Sequence, residues 1–428
     1  MARFLRVGSV TLCTVLAVAE GCSSSDKPPP GSSSGAVPPP TPPGPTPPPN
    51  AVDGGDGGSS AVPLGDLPTV DEPNIPCTST TAIPVSLFGA GDSGLGGPPV
   101  TNVQPLGGGR FASGVDLDGF ITFDLTGSSP NLVSATLGSA GDTFASEGST
   151  IGGFGIGGGA VTYQRYAANG TPSGSAVSLA SGLTPSPGKI WSASGEGESL
   201  AIVQVGATLQ AVGVTSAGTA AGAAFTIEAA APSANVFLLR DSSAFVIVYS
   251  FETTAGGNAT KARFARATTT ALMGAPTDLF GAGESVSVAG VATTSAGYVL
   301  LFDGGGDDKI YAVPLDSSGK VSGVAHRLLG ADYPRSASGN GGESVGIVSM
   351  SNDTMTGPME GPRKPQFRAL DKTGKPLAPW VCLDAPVPAN QYQDLGVLAE
   401  SNGWSVVYKT PADGTSLIRL NATGTAGP

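Results

Sequence analysis

The feature that most constrains the fold is a set of short apolar runs that recur about every fifty residues. Each run has four or five mostly apolar residues bounded by Gly or Ser, which favours a buried strand over a helix. The seven runs are residues 120–123, 160–163, 200–203, 245–249, 298–302, 345–348 and 404–408. With 65 Gly and 37 Pro among 428 residues, long helices are disfavoured and an all-β fold is expected.

Turns and returning strands follow several of these runs. Tight turns with Gly at the end occur at residues 166–170, 214–218, 315–319, 370–374 and 420–424. A further strand ending in Leu or Ile occurs at residues 177–179, 225–227, 277–279, 327–329 and 381–383. Three or four antiparallel strands per repeat are typical of a β-propeller blade, so we predict about seven blades, with six or eight as alternatives. A pair of two-sheet sandwiches is the other architecture considered, and residues 95–180 do not reveal their strands.

A copy of one outer strand at the front of the domain predicts that the ring is closed. The segment at residues 86–93, SLFGAGDS, closely matches residues 278–285, DLFGAGES. The second copy leads from one repeat into the next, whereas the first has no inner strands before it. The chain also ends just after the turn that should lead into such a strand. We therefore expect the N-terminal strand to complete the last blade, which removes two exposed sheet edges.

The N-terminus has the pattern of an export signal. Two arginines precede a mostly apolar stretch at residues 7–19, which is too short to span a bilayer as a helix. The stretch ends in Ala-Glu-Gly-Cys at residues 19–22, followed by Ser23. This resembles the lipobox of bacterial lipoproteins, although that family usually has Leu where Ala19 stands.

The resemblance implies a cellular location for the protein. Residues 1–21 would be a lipoprotein signal peptide, and Cys22 would carry palmitate and become the new N-terminus. Ser rather than Asp at position 23 implies the outer membrane, with the protein facing the periplasm or the cell surface. Ordinary secretion after cleavage is the alternative. No other segment reaches 18 consecutive apolar residues.

Residues 22–74 are predicted to be a disordered tether, and residues 75–428 the propeller. The tether is rich in Pro and then in Gly, Asp and Ser, and it lacks the apolar residues that a core requires. Its proline part favours stiff polyproline II, which suits a spacer. A proline-rich ligand for an aromatic groove is the alternative.

Two cysteines remain after the signal and the lipid site are set aside. Cys77 and Cys382 form an even pair in an oxidising compartment, so we predict a disulfide between them. The bridge would hold the N-terminal strand near the last two blades. Two free buried thiols are the alternative.

The net charge of −12 disfavours nucleic acid as a partner, because phosphates require clustered Lys and Arg. Nothing in the globular part forms a basic cluster. The expected partners are the membrane, through the lipid, and a protein, peptide or glycan ligand. We expect a monomer.

Glutamates near the start of several repeats are the candidate ligand-binding residues. Glu196, Glu284 and Glu343 each precede a core strand. Because the innermost strands of a propeller line its channel, these side chains could form an acidic funnel for a cationic ligand, a metal or acid–base chemistry. Solvent-facing charges in turns are the alternative.

Asp303, Asp307 and Asp308 form a candidate calcium loop, but they lack the spaced carboxylates that calcium sites usually provide. The single histidine, His326, is expected at the surface of an outer strand, so neither a His-rich metal site nor a catalytic triad is predicted. The glycine-rich residues 154–159 are interpreted as turn material.

Residues 369–375, with Trp380 beyond them, resemble the repeat of quinoprotein-type propellers. That family carries the motif in nearly every blade, whereas it occurs once here. The resemblance therefore supports the propeller class, and no quinone or other cofactor is predicted.

The functional expectation is a membrane-anchored lipoprotein that displays a propeller as a non-enzymatic binding or scaffolding module. The alternative is a hydrolase or lyase of extracellular polysaccharide that uses acidic residues in the propeller channel.

Overall fold

The computed structural model describes most of the chain after residue 60. The described residues are 61–73, 75, 77–80, 85–88, 101–107, 110–115, 119–124, 131–134, 143–183, 185–186, 189–253, 260–281, 285–304, 310–339, 342–351, 364–383, 395–400, 402–410 and 414–425. The predicted signal peptide, Cys22 and the first part of the predicted tether lie outside them. No helix in the described part is long and apolar enough to cross a membrane.

The described residues form β-strands and one 3₁₀ turn, Leu64–Asp66. The strands are β1 (Thr69–Asp71), β2 (Thr78–Ser79), β3 (Val85–Phe88), β4 (Thr101–Gly107), β5 (Arg110–Val115), β6 (Gly119–Asp124), β7 (Asn131–Ser134), β8 (Thr143–Ser146), β9 (Thr150–Gly157), β10 (Ala160–Ala167), β11 (Pro172–Ser181), β12 (Ile190–Gly195), β13 (Glu198–Val205), β14 (Thr208–Val214), β15 (Phe225–Glu228), β16 (Asn235–Arg240), β17 (Phe245–Glu252), β18 (Thr260–Ala267), β19 (Thr277–Asp278), β20 (Val286–Thr294), β21 (Gly297–Gly304), β22 (Ile310–Leu315), β23 (Ala325–Arg327), β24 (Ala331–Gly339), β25 (Ser344–Ser351), β26 (Pro365–Asp371), β27 (Val381–Cys382), β28 (Leu395–Glu400), β29 (Gly403–Thr410) and β30 (Gly414–Asn421).

These strands form seven sheets, which are the blades of a β-propeller. Blades one to six use four consecutive strands each, from β4–β7 to β24–β27, and blade seven begins with β28. Within each blade the chain passes from one strand to its antiparallel neighbour without a crossover. The first strands of consecutive blades contact each other in order, and β28 contacts β4. This last contact closes a ring of seven blades.

Blade seven is completed by the N-terminal strand, as predicted. β3 pairs antiparallel with β30, with Val85 opposite Leu417 and Ser86 opposite Ser416. The sheet order is therefore β28-β29-β30-β3. The ring closes because the last blade takes its outer strand from the front of the domain.

The core lies between the blades. Along β17 every residue from Phe245 to Phe251 is buried, and alternate side chains point to opposite faces of the sheet. Val246 and Val248 pack toward blade five, whereas Phe245, Ile247 and Tyr249 pack toward blade three. Each such side chain contributes about 1.5–3 kcal/mol of burial free energy. A second strand buried on both faces therefore explains why these runs are continuously apolar.

Blades one and two differ from the predicted pattern. The apolar runs at 120–123 and 160–163 lie in third strands, β6 and β10, whereas the later runs lie in second strands. The second strand of blade two is β9, and it contains most of the glycine-rich residues interpreted as turn material. A Cβ on Gly152 would lie 2.7 Å from the ring of Tyr163, so close packing explains a glycine there. Because of these glycines, the sequence does not show β9 as a strand.

An N-terminal segment pairs with the outer strands of blades five and six and then forms the outer strand of blade seven, and we call the described part of residues 61–88 the rim belt. β1 adds a fifth, parallel strand to β23, and β2 does the same to β27. Leu67 is buried in the core between blades four and five. The predicted domain boundary at residue 75 therefore falls inside a segment that already packs on the blades.

The predicted disulfide is present. Cys77 and Cys382 are bonded across 305 positions of sequence, and their Cα atoms are 5.2 Å apart. Because Cys382 belongs to β27, the bridge fixes the rim belt to the outer strand of blade six.

Candidate functional site

The two faces of the propeller carry different connections. Because neighbouring strands in a blade are antiparallel, the turns after the first and third strands emerge on one face, which we call the turn face. The connections after the second and fourth strands emerge on the opposite face, which we call the loop face. The predicted acidic residues can be placed relative to these two faces.

Acidic residues occupy the turn between the first and second strands in five of the seven blades, and we call them the turn acids. They are Glu147 in blade two, Glu196 and Glu198 in blade three, Asp241 in blade four, Glu343 in blade six and Glu400 in blade seven. The predicted residues Glu196 and Glu343 are thus equivalent positions on the turn face, in blades three and six. Glu284 lies outside the described residues.

A basic side chain neutralises the turn acid in each of these blades. In blades two, four, six and seven it comes from the third strand of the same blade or from the turn after it; in blade three it comes from the next blade. The pairs and their N–O distances are Glu147–Arg165 at 2.7 Å, Asp241–Arg266 at 2.6 Å, Glu343–Lys372 at 2.7 Å, Glu400–Arg419 at 3.5 Å and Glu196–Arg240 at 3.3 Å. In each of these five blades, an acid at the first turn therefore lies beside its own basic side chain.

Glu147 is the most buried of the turn acids, with a side chain that is 1% exposed. Its Oε1 accepts hydrogen bonds from the Tyr163 hydroxyl at 2.6 Å and from the Ser199 hydroxyl at 2.5 Å. Its Oε2 accepts one from Arg165 Nε at 2.7 Å. Burial, together with the Glu147 carboxylate, raises the pKa of Tyr163. Since Ser199 belongs to blade three, this carboxylate joins two blades.

Asp241 makes the equivalent joint between blades four and five. The Tyr298 hydroxyl of blade five donates to its Oδ2 at 2.7 Å, and the Ser243 and Ala244 amides donate to its Oδ1. Burial alone would raise the pKa of Asp241, but these hydrogen bonds outweigh it and lower the pKa to about 2. The carboxylate is therefore ionised at neutral pH and is held by the fold.

Glu196 and Glu343 remain at the surface, with side chains that are 69% and 71% exposed. Hydrogen bonds from Lys372 and from the Ser295 hydroxyl lower the pKa of Glu343. Glycosidase chemistry needs two carboxylates that face each other across a substrate. These two exposed acids lie in blades three and six, each beside its own cation.

The other predicted ligand residues have different surroundings. Asp303 is a partly buried residue of β21, opposite Ile310, and so it is not part of a solvated loop. Asp307 and Asp308 lie outside the described residues. In the part of the chain that the structure describes, no group of three His, Cys, Asp or Glu side chains could hold a metal ion.

His326 is not a surface residue, in contrast to the prediction. It is only 9% exposed because the rim belt covers it, and its Nδ1 lies 2.7 Å from Glu72 Oε1. The prediction failed because nothing in the local sequence marks β1 as a strand that covers β23.

The motif that resembles the quinoprotein repeat forms a turn and an anchor between blades. Asp371 Oδ1 accepts hydrogen bonds from the Thr373 amide and hydroxyl and from the Lys375 amide, and Gly374 has a φ of 84°. Trp380 is buried, and its indole donates to Leu329 O, which follows blade five, at 2.9 Å. These contacts explain the motif by structure alone.

Connection lengths differ between the faces. On the turn face, the connections between first and second strands stay short in every blade, as at residues 196–197 and 241–244. On the loop face, the connections between second and third strands range from the two residues 158–159 to the long segment 352–364. The connection between blades six and seven, residues 383–394, is also long. The turn face also carries the connections between third and fourth strands, which run from the four residues 168–171 to the ten residues 215–224. Connection length therefore varies on both faces, but the three longest connections, residues 89–100, 352–364 and 383–394, all emerge on the loop face.

No protein-family model matches the chain, and no curated protein matches it. Among solved structures, Sqt1 of Saccharomyces cerevisiae has a TM-score of 0.45 at 9% identity, over 80% of this chain and 100% of that chain. The Dos1 propeller has a TM-score of 0.45 at 11% identity, over 81% and 96%. The propeller domain of the Trilobed protease from Pyrococcus furiosus has a TM-score of 0.45 at 9% identity, over 78% and 100%. The assignment of seven blades rests on the strand pairing described above.

Proposed function

We propose that this protein is a membrane-anchored lipoprotein whose propeller is a non-enzymatic binding or scaffolding module with its ligand site on the loop face. The observation that carries the proposal is the difference between the faces. On the turn face, the connections between first and second strands are short and the acids are ion-paired. On the loop face emerge the three longest connections, residues 89–100, 352–364 and 383–394.

The ion pairs support a structural role for the turn acids. A carboxylate that accepts hydrogen bonds from a neighbouring blade, as Glu147 does from Ser199, is fixed by packing contacts. Such a group has little freedom to bind a second cation. Rigid joints of this kind would instead hold the blades in place while a ligand binds elsewhere.

The loop face supports the location of the ligand site. Binding residues tend to lie on loops that a rigid scaffold positions. The connections at residues 352–364 and 383–394 both leave blade six on this face, so blades six and seven are the preferred place for a protein, peptide or glycan.

The proposed cellular location follows from the lipobox-like sequence. The lipid on Cys22 would anchor the chain in the outer membrane, and the tether would hold the propeller away from the lipid surface. The test is palmitate labelling in a bacterial host, with Cys22→Ala as the control. Label on the wild type and none on the variant is expected. Label retained by the variant would refute the anchor.

Ligand binding can be tested with a matched pair of variants. In one, residues 352–364 are replaced by a two-residue turn; in the other, Ala217, exposed in a turn-face connection of blade three, is replaced by Lys. Both variants are screened with the wild type against glycan and peptide arrays, after their melting temperatures are compared. Binding that is lost only in the loop variant supports the proposal.

The same screen distinguishes the enzymatic alternative. Polysaccharides are incubated with the protein, and bound and released sugar are scored separately. Sugar release that disappears in Glu284→Gln would support the hydrolase or lyase and would overturn the non-enzymatic proposal.

A further inference from the structure

The rim belt contacts the blades in a fixed order along the sequence. Starting from the tether, Val62 pairs with Phe280, then β1 pairs with β23, and Cys77 is bonded to Cys382. Only after the disulfide does the chain reach β3, the strand that closes the ring. A pull applied through the tether would therefore reach the disulfide before it reaches the closing strand.

Before the disulfide, the belt is held by a short strand and by side chains that pack on the blades, among them the partly buried Val62 and Leu64. β1 has three residues, all of which are exposed. Beside it, Arg327 Nη1 lies 3.3 Å from Asp71 Oδ1, and Glu72 contacts His326. Leu67 is the buried apolar residue of this part of the belt. Because β1 is an edge strand of three exposed residues, we expect it to separate from β23 at a lower force than the blades unfold.

The pairing that completes blade seven is also short. β3 pairs with β30 over Val85, Ser86 and Phe88. If β3 were peeled away, β30 would become an open sheet edge and blade seven would lose its outer strand. Hydrogen bonds that are loaded one after another fail singly, so a strand of this length is a weak point of the ring.

We propose that the Cys77–Cys382 disulfide is a mechanical stop that confines tension from the tether to residues 61–76 and keeps it from the closing strand. A load that has peeled β1 from β23 reaches Cys77 and passes covalently into β27, which blade six holds through β26. The belt can then lengthen at its front without opening the ring. The origin of the load rests on the proposed anchor at Cys22; the stop itself does not.

The test is a pulling experiment on the purified mature chain without lipid. One handle is attached at the N-terminus of the tether, and the other to a ligation tag inserted after Ala217 in blade three. In the oxidised protein we expect a first extension of about 5 nm, which is the length of residues 61–76 drawn out. A separate event at higher force should follow.

Reduction of the same molecules should remove the stop. The first extension should then run through Cys77 and β3 to residue 88, so that it grows to about 9–10 nm and merges with the unfolding of the domain at lower force. The Cys77→Ser/Cys382→Ser variant should match the reduced protein.

Three results would overturn the proposal. The first is a first extension of equal length, followed by a pause, in both the oxidised and the reduced protein. The second is unfolding of the oxidised protein without the short first extension. The third is loss of the fold when the disulfide is reduced and no load is applied. In the last case the bridge would be a requirement of folding and not a stop. Because no lipid is present, failure here is independent of failure of the palmitate test.

Discussion

The first turns of blades two and four differ from those of blades three and six, although all four carry an acid at the same place in the repeat. Glu147 and Asp241 receive a hydroxyl hydrogen bond from the next blade, whereas Glu196 and Glu343 are mostly exposed. The difference lies in one position, the second residue of the second strand of the following blade.

That position holds a hydroxyl where the acid forms a joint. It is Ser199 after Glu147 and Tyr298 after Asp241, but Val246 after Glu196 and Trp404 after Glu343. A carboxylate can leave water only when hydrogen bonds and a cation replace its hydration. The repeat thus supplies an acid in each case, and its neighbour decides whether the acid becomes a joint or a surface charge.

The largest effect is expected for Glu147→Ala. The substitution leaves Arg165 and two hydroxyl groups without their shared acceptor, and breaking a buried ion pair typically costs about 3–5 kcal/mol. The urea midpoint should fall accordingly. Glu196→Ala is the control at the equivalent exposed position and should leave the midpoint unchanged. Equal losses in the two variants would contradict the distinction between joint and surface acids.

A smaller and pH-dependent effect is expected for Asp241→Asn. The folded-state pKa of Asp241 is about 2, below its ordinary value of 3.8, so its ionised form favours folding. This stability is present above pH 3.8 and is lost as the pH falls from about 4 to about 2. Urea midpoints across that range should show the loss in the wild type. The Asn variant should not show the loss of stability that Asp241 causes in this range. At pH 7 its free energy of unfolding should be about 1 kcal/mol lower than that of the wild type.

If the urea midpoints of the wild type and of Asp241→Asn fell equally with pH below pH 4, Asp241 would not be the cause of the acid-dependent loss of stability. Other carboxylates also titrate in this range, so the difference between the two curves is the quantity to compare.

A comparable or smaller loss of stability is expected for Tyr298→Phe. This substitution removes only the hydroxyl that donates a hydrogen bond to Asp241 from the next blade. A net loss of about 1 kcal/mol is typical for one hydrogen bond, because water satisfies part of the freed acceptor. The substitution should also raise the pKa of Asp241. The loss of stability that Asp241 causes between about pH 4 and about pH 2 should then be smaller than in the wild type. Tyr311→Phe, in blade five but away from the turn acids, is the matched control. An unchanged pH profile in Tyr298→Phe would contradict the assigned joint.

Much of the fold could be predicted because it depends on local patterns. A strand buried on both faces needs a continuous apolar run, as in residues 245–249, and a tight turn needs Gly at a positive φ, as at Gly374. The closing strand was predictable because its sequence repeats that of another outer strand. Burial and turn geometry produce sequence patterns only a few residues long, and repetition makes two such short patterns recognisable by comparison with each other.

The rim belt and the turn-acid joints could not be predicted, because they depend on partners far along the chain. β1 has only three residues and becomes a strand through the free edge of β23, so its own sequence carries no strand pattern. His326 was expected at the surface for the same reason. Glu147 becomes buried because of Ser199, which lies 52 positions away. A single acidic residue looks the same in either environment.

The smallest effect is expected for Glu196→Gln and Glu343→Gln, and it is the most informative about function. Both side chains are exposed and paired with a cation at the surface, where ion pairs contribute little. Neither substitution should change the urea midpoint or the binding of a ligand that uses the loop face. Suppose instead that either variant folds normally but loses binding or sugar release. A stable fold with lost activity would then place the ligand on the turn face, and the exposed acids would be functional groups left unburied because a ligand needs them.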